Sequence, residues 1–595
     1  MAPSAVIIGG GVGGLTVAHE LIERGFTVDL YEARADLGGK ARSQPVVGSG
    51  SGGRADLPGE HGFRFYPRFY THVIDTMKRI PSPLGGSVVD HLKPTTESSI
   101  ALVDVGTWYR FFRRRTSRPF EVIEALELFF QELDFDDADI ALFTAKILEF
   151  LTTSNERRLG EYETISWWQF LEGDLYSENF QRQLRAVPRT MVAMDPKRGS
   201  ARTIGGISMQ LILDYADSGV TTDRTMGGPT TEMWIEPWRA HLASLGVNFH
   251  LGLSATKINT AAGAISGIEM SDLSTKTADY YVLAVPIDVA IPLITPAMGA
   301  LDPALEKLRT ANADQLVSWM VGIQYFLYED VPLVRGHTFY PDSPWALTTI
   351  SQPQFWRDLG IFRTRYGAGD VGGLISVDIS DWDTPGTFVP KIAKECTPAE
   401  IAHEVWEQLK AALNGTAPGE ETLTDAMLHS WHLDDDIDFT TTPTSNKSRL
   451  LVHPPNSYHL RPEAGTQIPN LVIAADYVRT TTDLASMEGA SEAARAATNA
   501  ILERSGSTTA KVQLWPLTEP DEFRFAKAID KWLYTHGRRH AFEILGIRNA
   551  ARAASWLRKL ERFAGVARID DWFDERFRTS KILRGILEFL GLGGT

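Results

Sequence analysis

Gly9, Gly11 and Gly14, with Gly13 between them and Glu32 beyond, are the residues of this sequence best spaced to hold a ligand. Ala5-Val6-Ile7-Ile8 reads as a buried strand, and the glycines that follow form the turn Gly-x-Gly-x-x-Gly. Such a turn is tight at its first glycine, admits phosphate to the backbone at its second, and lets the next helix pack on the strand at its third. The helix expected over Leu15 to Arg24, closed by Gly25, directs its N-terminal amides and positive dipole end at a pyrophosphate. A second strand, Thr27 to Glu32, ends in a carboxylate eighteen residues after Gly14. At that spacing an acid takes ribose hydroxyls and disfavours a 2′-phosphate. These residues predict a dinucleotide site.

Other elements must return to this turn to complete it. The glycine doublet of Gly38-Gly39-Lys40-x-Arg42 comes a short loop later. Far along the chain, Asn470 to Tyr477 is a strand carrying Asp476, followed by Ser486-Met487-Glu488-Gly489-Ala490 and a small-residue helix through Ile501. The face bearing Ala490, Ala493, Ala494 and Ala497 allows close backbone approach, and the first turn of that helix offers free amides.

The segment from Val6 to Ser43 resembles the extended dinucleotide motif of FAD enzymes of the glutathione-reductase structural class, a group that holds flavin amine oxidases and phytoene desaturases. Gly59-Glu60-His61-Gly62-Phe63-Arg64-Phe65-Tyr66-Pro67, Gly227-Gly228-Pro229-Thr230, Ala284-Val285-Pro286 and Asp476 with Met487 to Ala490 are similar to the phytoene-desaturase and hydroxysqualene-dehydroxylase neighbourhood, over most of residues 4 to 505. The resemblance implies FAD extended through a Rossmann-like domain, its ring facing a second domain. It implies that Glu32 holds ribose and that Gly38, Gly39, Lys40 and Arg42 lie near the pyrophosphate. Asp476 would meet the ribityl or phosphate region, Met487 with Glu488 and Ala490 the pyrimidine edge, and Ala255 the adenine. Gly62 and Phe63 would lie along the ring, where Glu60 or His61 moves a proton while the flavin takes hydride. The alternative for His61 is a hydrogen-bonded structural residue. One departure stands out: Ala474-Ala475-Asp476 has alanine where the family usually has glycine.

Composition narrows the class. At 595 residues the chain exceeds one core, and 43% hydrophobic with 23% charged residues is ordinary for a globular protein. A net charge of −16 argues against nucleic acid as partner. Cys396 is the only cysteine, which excludes internal disulfides and iron–sulfur ligation, and no metal is expected. The apolar N-terminus is expected to be a Rossmann strand rather than a leader, and no apolar run reaches membrane-spanning length. Cytoplasmic residence, with peripheral membrane contact, fits these features.

The expected fold class is α/β: a Rossmann-like FAD-binding domain, a sheet-plus-helices substrate domain and a helical C-terminal appendage. The FAD-binding parts are placed at 1–75, 226–295 and 451–505, with a mostly helical insertion at 76–225 and the substrate sheet at 296–450. Helical spacing supports the insertion at Val122, Ala125, Leu126, Phe129 and Phe130, and Ser318 to Leu327 reads as a long strand of the sheet. The 506–595 region changes character, residues 511–595 holding sixteen basic against eleven acidic side chains. Its apolar positions suit either a membrane-surface helix or a cap packed on the enzyme.

Weaker signals complete the reading. Trp319, Tyr325, Phe326, Trp345, Phe355 and Trp356 suit an apolar tunnel or a core equally. Asp434, Asp435, Asp436 and Asp438 are expected to form a solvated acidic loop, since they lack a calcium-loop pattern, and Arg113 to Arg115 a solvated surface. The chemistry expected is desaturation, or redox-neutral isomerisation, of a long apolar substrate, with oxygen, quinone or another acceptor reoxidising the flavin. The alternatives are a flavin amine oxidase and a noncatalytic flavin or lipid binder.

Overall fold

The computed structural model describes residues 2–104, 106–112, 135–214, 223–415 and 421–545. Arg113 to Arg115, the helical pattern from Val122 to Phe130, and everything after residue 545 lie outside the described residues. The chain divides into two compact units: Met1–Arg114 with Arg185–Asp195 and Gly219–Leu517, and Arg115–Leu184 with Pro196–Ser218 and Thr518–Thr595.

Two large sheets organise the first unit. The smaller is parallel, with strands in the order Asn248–Leu251, Thr27–Glu32, Ser4–Ile8, Tyr280–Leu283 and Leu471–Ile473. Ser4–Ile8 is central, pairing Val6 with Asp29 on one side and with Tyr281 on the other. A strand flanked on both sides in a parallel sheet is covered on both faces, which is why its sequence is apolar without alternation. Leu471–Ile473 brings the distant C-terminal segment beside the N-terminal turn, and the helix Met487–Arg504 follows, burying Ala493, Ala494 and Ala497.

The larger sheet has seven strands, in the order Leu428–Leu433, Val321–Leu327, Gly373–Ile379, Leu347–Ser351, Gly336–Phe339, Glu97–Leu102 and Thr107–Phe112. All neighbours are antiparallel except Gly336–Phe339 with Glu97–Leu102. Glu97–Leu102 and Thr107–Phe112 therefore belong to the sheet, within the 76–225 stretch expected to be mostly helical. Alternation gives the sheet two faces. Ile323, Tyr325, Leu347, Ile375 and Val377 join Trp319, Trp345 and the helix Pro398–Leu413 in one core, while Phe326, Ile350 and Leu374 join Phe355 and Trp356 in another. The six aromatics that suited a tunnel or a core are all core.

The second unit is helical where described. Asp137–Thr152, Trp167–Leu171, Ala201–Asp214 and Arg524–Thr535 are its main helices within the described residues. Arg524–Thr535 buries Ile529 and Leu533, and its buried Asp530 accepts from Arg157 Nε at 2.8 Å and from Ser154 N and Oγ at 2.8 Å. The apolar face of this helix is thus covered within its own unit. Among the described residues no helix is long and apolar enough to cross a membrane.

Candidate active site

The glycine turn joins Ser4–Ile8 to the helix Val12–Ile22, and what a side chain would meet at each position separates the glycines by role. A Cβ on Gly14 would lie 1.9 Å from the Gly9 carbonyl oxygen, and one on Gly13 would lie 2.1 Å from that of Ala474. Both are closed by backbone. Over Gly11 the only neighbour within 4 Å is the Gly39 Cα, at 3.8 Å. That open ground, beside the unsatisfied first amides of the helix, is a cradle a Cβ would fill and a pyrophosphate fits.

Around the cradle stand the other expected residues. Gly38 donates its amide to the Gly10 carbonyl at 2.8 Å, bringing the doublet against the turn. Glu32 is buried, its Oε2 accepting from the Gly10 amide at 2.7 Å and its Oε1 from the Arg34 amide at 2.9 Å, so the carboxylate is fixed at the strand end. The Gly252 and Leu253 amides bond the Arg34 and Glu32 carbonyls, which leads the chain toward Ala255 past the same carboxylate. Asp476 comes two residues after Ala474, whose carbonyl oxygen faces Gly13. Met487 and Glu488 begin the long helix, whose Ser486 cap takes the Gly489 amide at 3.0 Å. The Glu488 carboxylate points elsewhere, accepting from the amides of Thr71, His72 and Val73 and from His72 Nδ1. Only its backbone faces the helix start, as does that of Ala490.

Past the doublet the chain leads into a buried polar cluster. Arg42 donates to the Gly39 carbonyl and, with 2.9 and 3.0 Å contacts, to both oxygens of Asp436. Arg34 and Ser448 also bond Asp436, and these partners hold its carboxyl well below the usual range against the pull of burial. Asp434 accepts from His61 Nδ1 and from Gln44 Nε2, at 2.9 Å for the latter. Burial pushes its carboxyl toward the neutral acid, but His61 and Gln44 outweigh that and hold it below the usual range. Asp434 and Asp436 are therefore buried pairing groups, and the expectation of a solvated acidic loop fails at both, because arginine and histidine arrive from residues hundreds of positions away. His61, Asp434 and Asp436 are close enough together to suggest a cation, yet Asp436 is already paired with two arginines and Asp434 with His61 Nδ1.

Glu60 and Asp378 differ from these paired acids. Glu60 Oε1 accepts from Ser43 Oγ at 2.7 Å and from the Thr230 amide at 2.8 Å, while its buried Oε2 has no hydrogen-bond partner and lies 3.9 Å from Arg64 Nη2. Burial pushes its carboxyl up, with Arg64, Thr230 and Ser43 opposing. Asp378, in the strand Gly373–Ile379, is pushed up to about 7 by burial, against the pull of Arg64 and the Phe63 amide and with a further push from Asp434. Its Oδ1 is buried without a partner, 2.8 Å from where a Cβ on Gly62 would stand. Arg64 links this pair to the cradle, donating to the Lys40 carbonyl at 2.8 Å. Phe63 and Phe65 each stack or edge onto His337 at 5.1 Å, with Phe339 beyond.

Asp378, Arg64 and Gln324, which brackets Glu60 by bonding both its amide and its carbonyl, were not anticipated from sequence. A signal existed: Gln324 and Asp378 are polar residues inside strand runs of apolar ones, on the face opposite Tyr325 and Val377. Alternation assigns the face but not its burial.

A family model described as flavin containing amine oxidoreductase matches residues 12–502. Carotenoid phi-ring synthase of Streptomyces griseus is 22% identical over 517 residues, covering 85% of this chain and 89% of that one. Zeta-carotene desaturase of Synechocystis sp. is 24% identical over 293 residues, 47% of this chain, and the match spans 56% of the desaturase. Among solved structures, cyclohexylamine oxidase of Brevibacterium oxydans superposes with a TM-score of 0.57 at 14% identity, covering 85% of this chain and all of the oxidase, which is a likeness of fold.

Proposed function

The chain belongs to the flavin-containing amine oxidoreductase family and is an FAD-dependent oxidoreductase, and from that premise we propose that it dehydrogenates a carbon–carbon unit of a long, uncharged apolar substrate, a polyene of the carotenoid kind. FAD supplies the two-electron acceptor at this site. Glu32 would hold the adenosine ribose, and the Gly11 cradle with the helix amides the pyrophosphate. Lys40 and Arg42 line the way onward, and Asp476 with the Met487 and Glu488 amides the far side.

The observation that carries the choice of substrate is the charge of the cluster beyond the cradle. Arg64 is a standing cation, and the two carboxyls coupled to it, Glu60 and Asp378, are both pushed toward the neutral acid. Two arginines, Arg34 and Arg42, stand against the two carboxylates, both paired with Asp436, and Asp434 is hydrogen-bonded to His61 Nδ1. An ammonium entering here meets no uncompensated negative charge and pays its desolvation unrelieved. A neutral chain against Phe63, Phe65 and Phe339 has no such cost. The match to a carotenoid enzyme over 85% of the chain supports the same choice.

Oxygen or a quinone would then reoxidise the cofactor. Membrane contact through residues 511–595 rests on their basic, apolar composition, from which Ile529 and Leu533 are withdrawn by packing. The test is product analysis: holoenzyme incubated with zeta-carotene in detergent micelles and a quinone should yield a product absorbing at longer wavelength, as a longer conjugated chain requires. Unchanged polyene, with turnover of cyclohexylamine, would overturn the proposal.

A further inference from the structure

We propose that Asp378 is the group that takes the proton from the substrate carbon, an assignment that rests on the reading of the site as a dehydrogenation centre. A continuous run of polar groups leads to it from the cradle. Gly39 lies over Gly11, the next carbonyl, Lys40, is held by Arg64, and Arg64 acts on the Asp378 carboxylate. At the end of that run the Asp378 Oδ1 is buried and unpartnered, and Gly62 presents no side chain to cap it.

Two other groups stand nearby: Glu60, whose unheld oxygen Oε2 lies 3.9 Å from Arg64 Nη2, and His61, held through Nδ1 by Asp434. Asp378 accepts from the amide of Phe63, and Phe63 and Phe65 are only half-buried, so the loop that reaches the acceptor also carries apolar side chains.

The step balances as follows. One substrate C–H bond breaks, its proton joins Asp378 Oδ1, and its electron pair becomes the second bond of the new C=C. The neighbouring carbon gives up a hydride with its electron pair, for which bound FAD would supply the acceptor, with oxygen or a quinone as the final oxidant. Asp378 returns its proton to water before the next turnover. Only the carboxylate form accepts a proton, so the step speeds up with pH through the Asp378 midpoint. The charges facing that midpoint are Arg64, which lowers it, and Asp434, which raises it and is itself paired with His61; the Phe63 amide also lowers it.

The test compares FAD-loaded wild type, Asp378→Asn and Arg64→Gln. Without substrate, infrared titration of the wild type should show a protonated-carboxyl band lost on raising pH through the neutral range. That band should be absent in Asp378→Asn and move to higher pH in Arg64→Gln, because the cation that lowers the midpoint is gone. With zeta-carotene micelles mixed anaerobically, flavin bleaching by the wild type should rise with pH to a plateau. In Asp378→Asn it should be at least about 100-fold slower and flat with pH.

A wild-type rate and pH profile in Asp378→Asn overturns the assignment while leaving the proposed function intact, and so does a wild type with no titrating band. If zeta-carotene fails to bleach the wild type but cyclohexylamine succeeds, the proposed function falls and the same pair of proteins with cyclohexylamine decides Asp378. If neither bleaches, the infrared titration decides. If Asp378→Asn does not retain FAD, the Arg64→Gln midpoint decides: an upward shift supports Asp378, an unmoved midpoint overturns it.

Discussion

At the scale of single residues, the site separates acids that are matched from acids that are not, and pH should tell them apart. Asp378 is held at about 7 in the folded chain against the 3.8 usual for an aspartate, so between these limits the native state keeps a proton that the unfolded chain has released. Its contribution therefore favours the fold less as pH rises through that window, and the full cost is present above about 7. Asp378→Asn removes the titration, so its stability relative to wild type should improve by on the order of 1–3 kcal/mol from pH 5 to pH 8, measured by urea unfolding at both. Asp436 has the opposite sign. Its carboxyl is depressed by Arg34 and Arg42, so the stability it adds is complete above its unfolded value and is lost only as pH falls into the strongly acid range. Glu32→Ala leaves the Gly10 and Arg34 amides without their acceptor and should weaken FAD binding by about 1–3 kcal/mol, read from the fluorescence of released flavin.

At the scale of elements, the glycine turn makes a prediction that depends on direction of approach. Gly11→Ala places a methyl in open ground and should leave the unfolding midpoint of the apoprotein near wild type while abolishing FAD retention. Gly14→Ala drives a methyl into the Gly9 carbonyl and should lower both, by about 1–3 kcal/mol in stability, in thermal melts of the two apoproteins side by side. The turn, its helix and the strand to Glu32 were legible in sequence because glycine geometry and helix N-termini are local matters. So was the return of Leu471–Ile473 and the alanine-faced helix, since small residues announce close packing. The Asp434 to Asp436 run was not legible. Three acids in a row look solvated until the fold supplies Arg34, Arg42, Gln44 and His61 from the other end of the chain. For Glu488 the expectation concerned the helix-start amides, and its side chain has a separate task, securing the start of the helix His72–Lys78.

At the scale of the whole molecule, the first unit contains both the cofactor cradle and the sheet whose polar end carries Gln324 and Asp378, so the chemistry is assembled within one unit. The aromatic middle of the chain could not be assigned from sequence because strand alternation serves a core and a lined cavity equally well, and the two cores of the seven-stranded sheet resolve it. The helical unit has its own internal tie: Asp530 with Arg157 and Ser154 is fully buried, and Asp530→Ala should destabilise that unit by about 3–5 kcal/mol, seen as an early transition in a calorimetric scan. The central claim concerns what reaches the flavin. Oxidised holoenzyme mixed anaerobically with zeta-carotene in detergent micelles, and separately with cyclohexylamine or putrescine, reports it through the flavin's visible absorption. Bleaching by the polyene and not by the amines is the predicted result; bleaching by the amines alone would contradict the account.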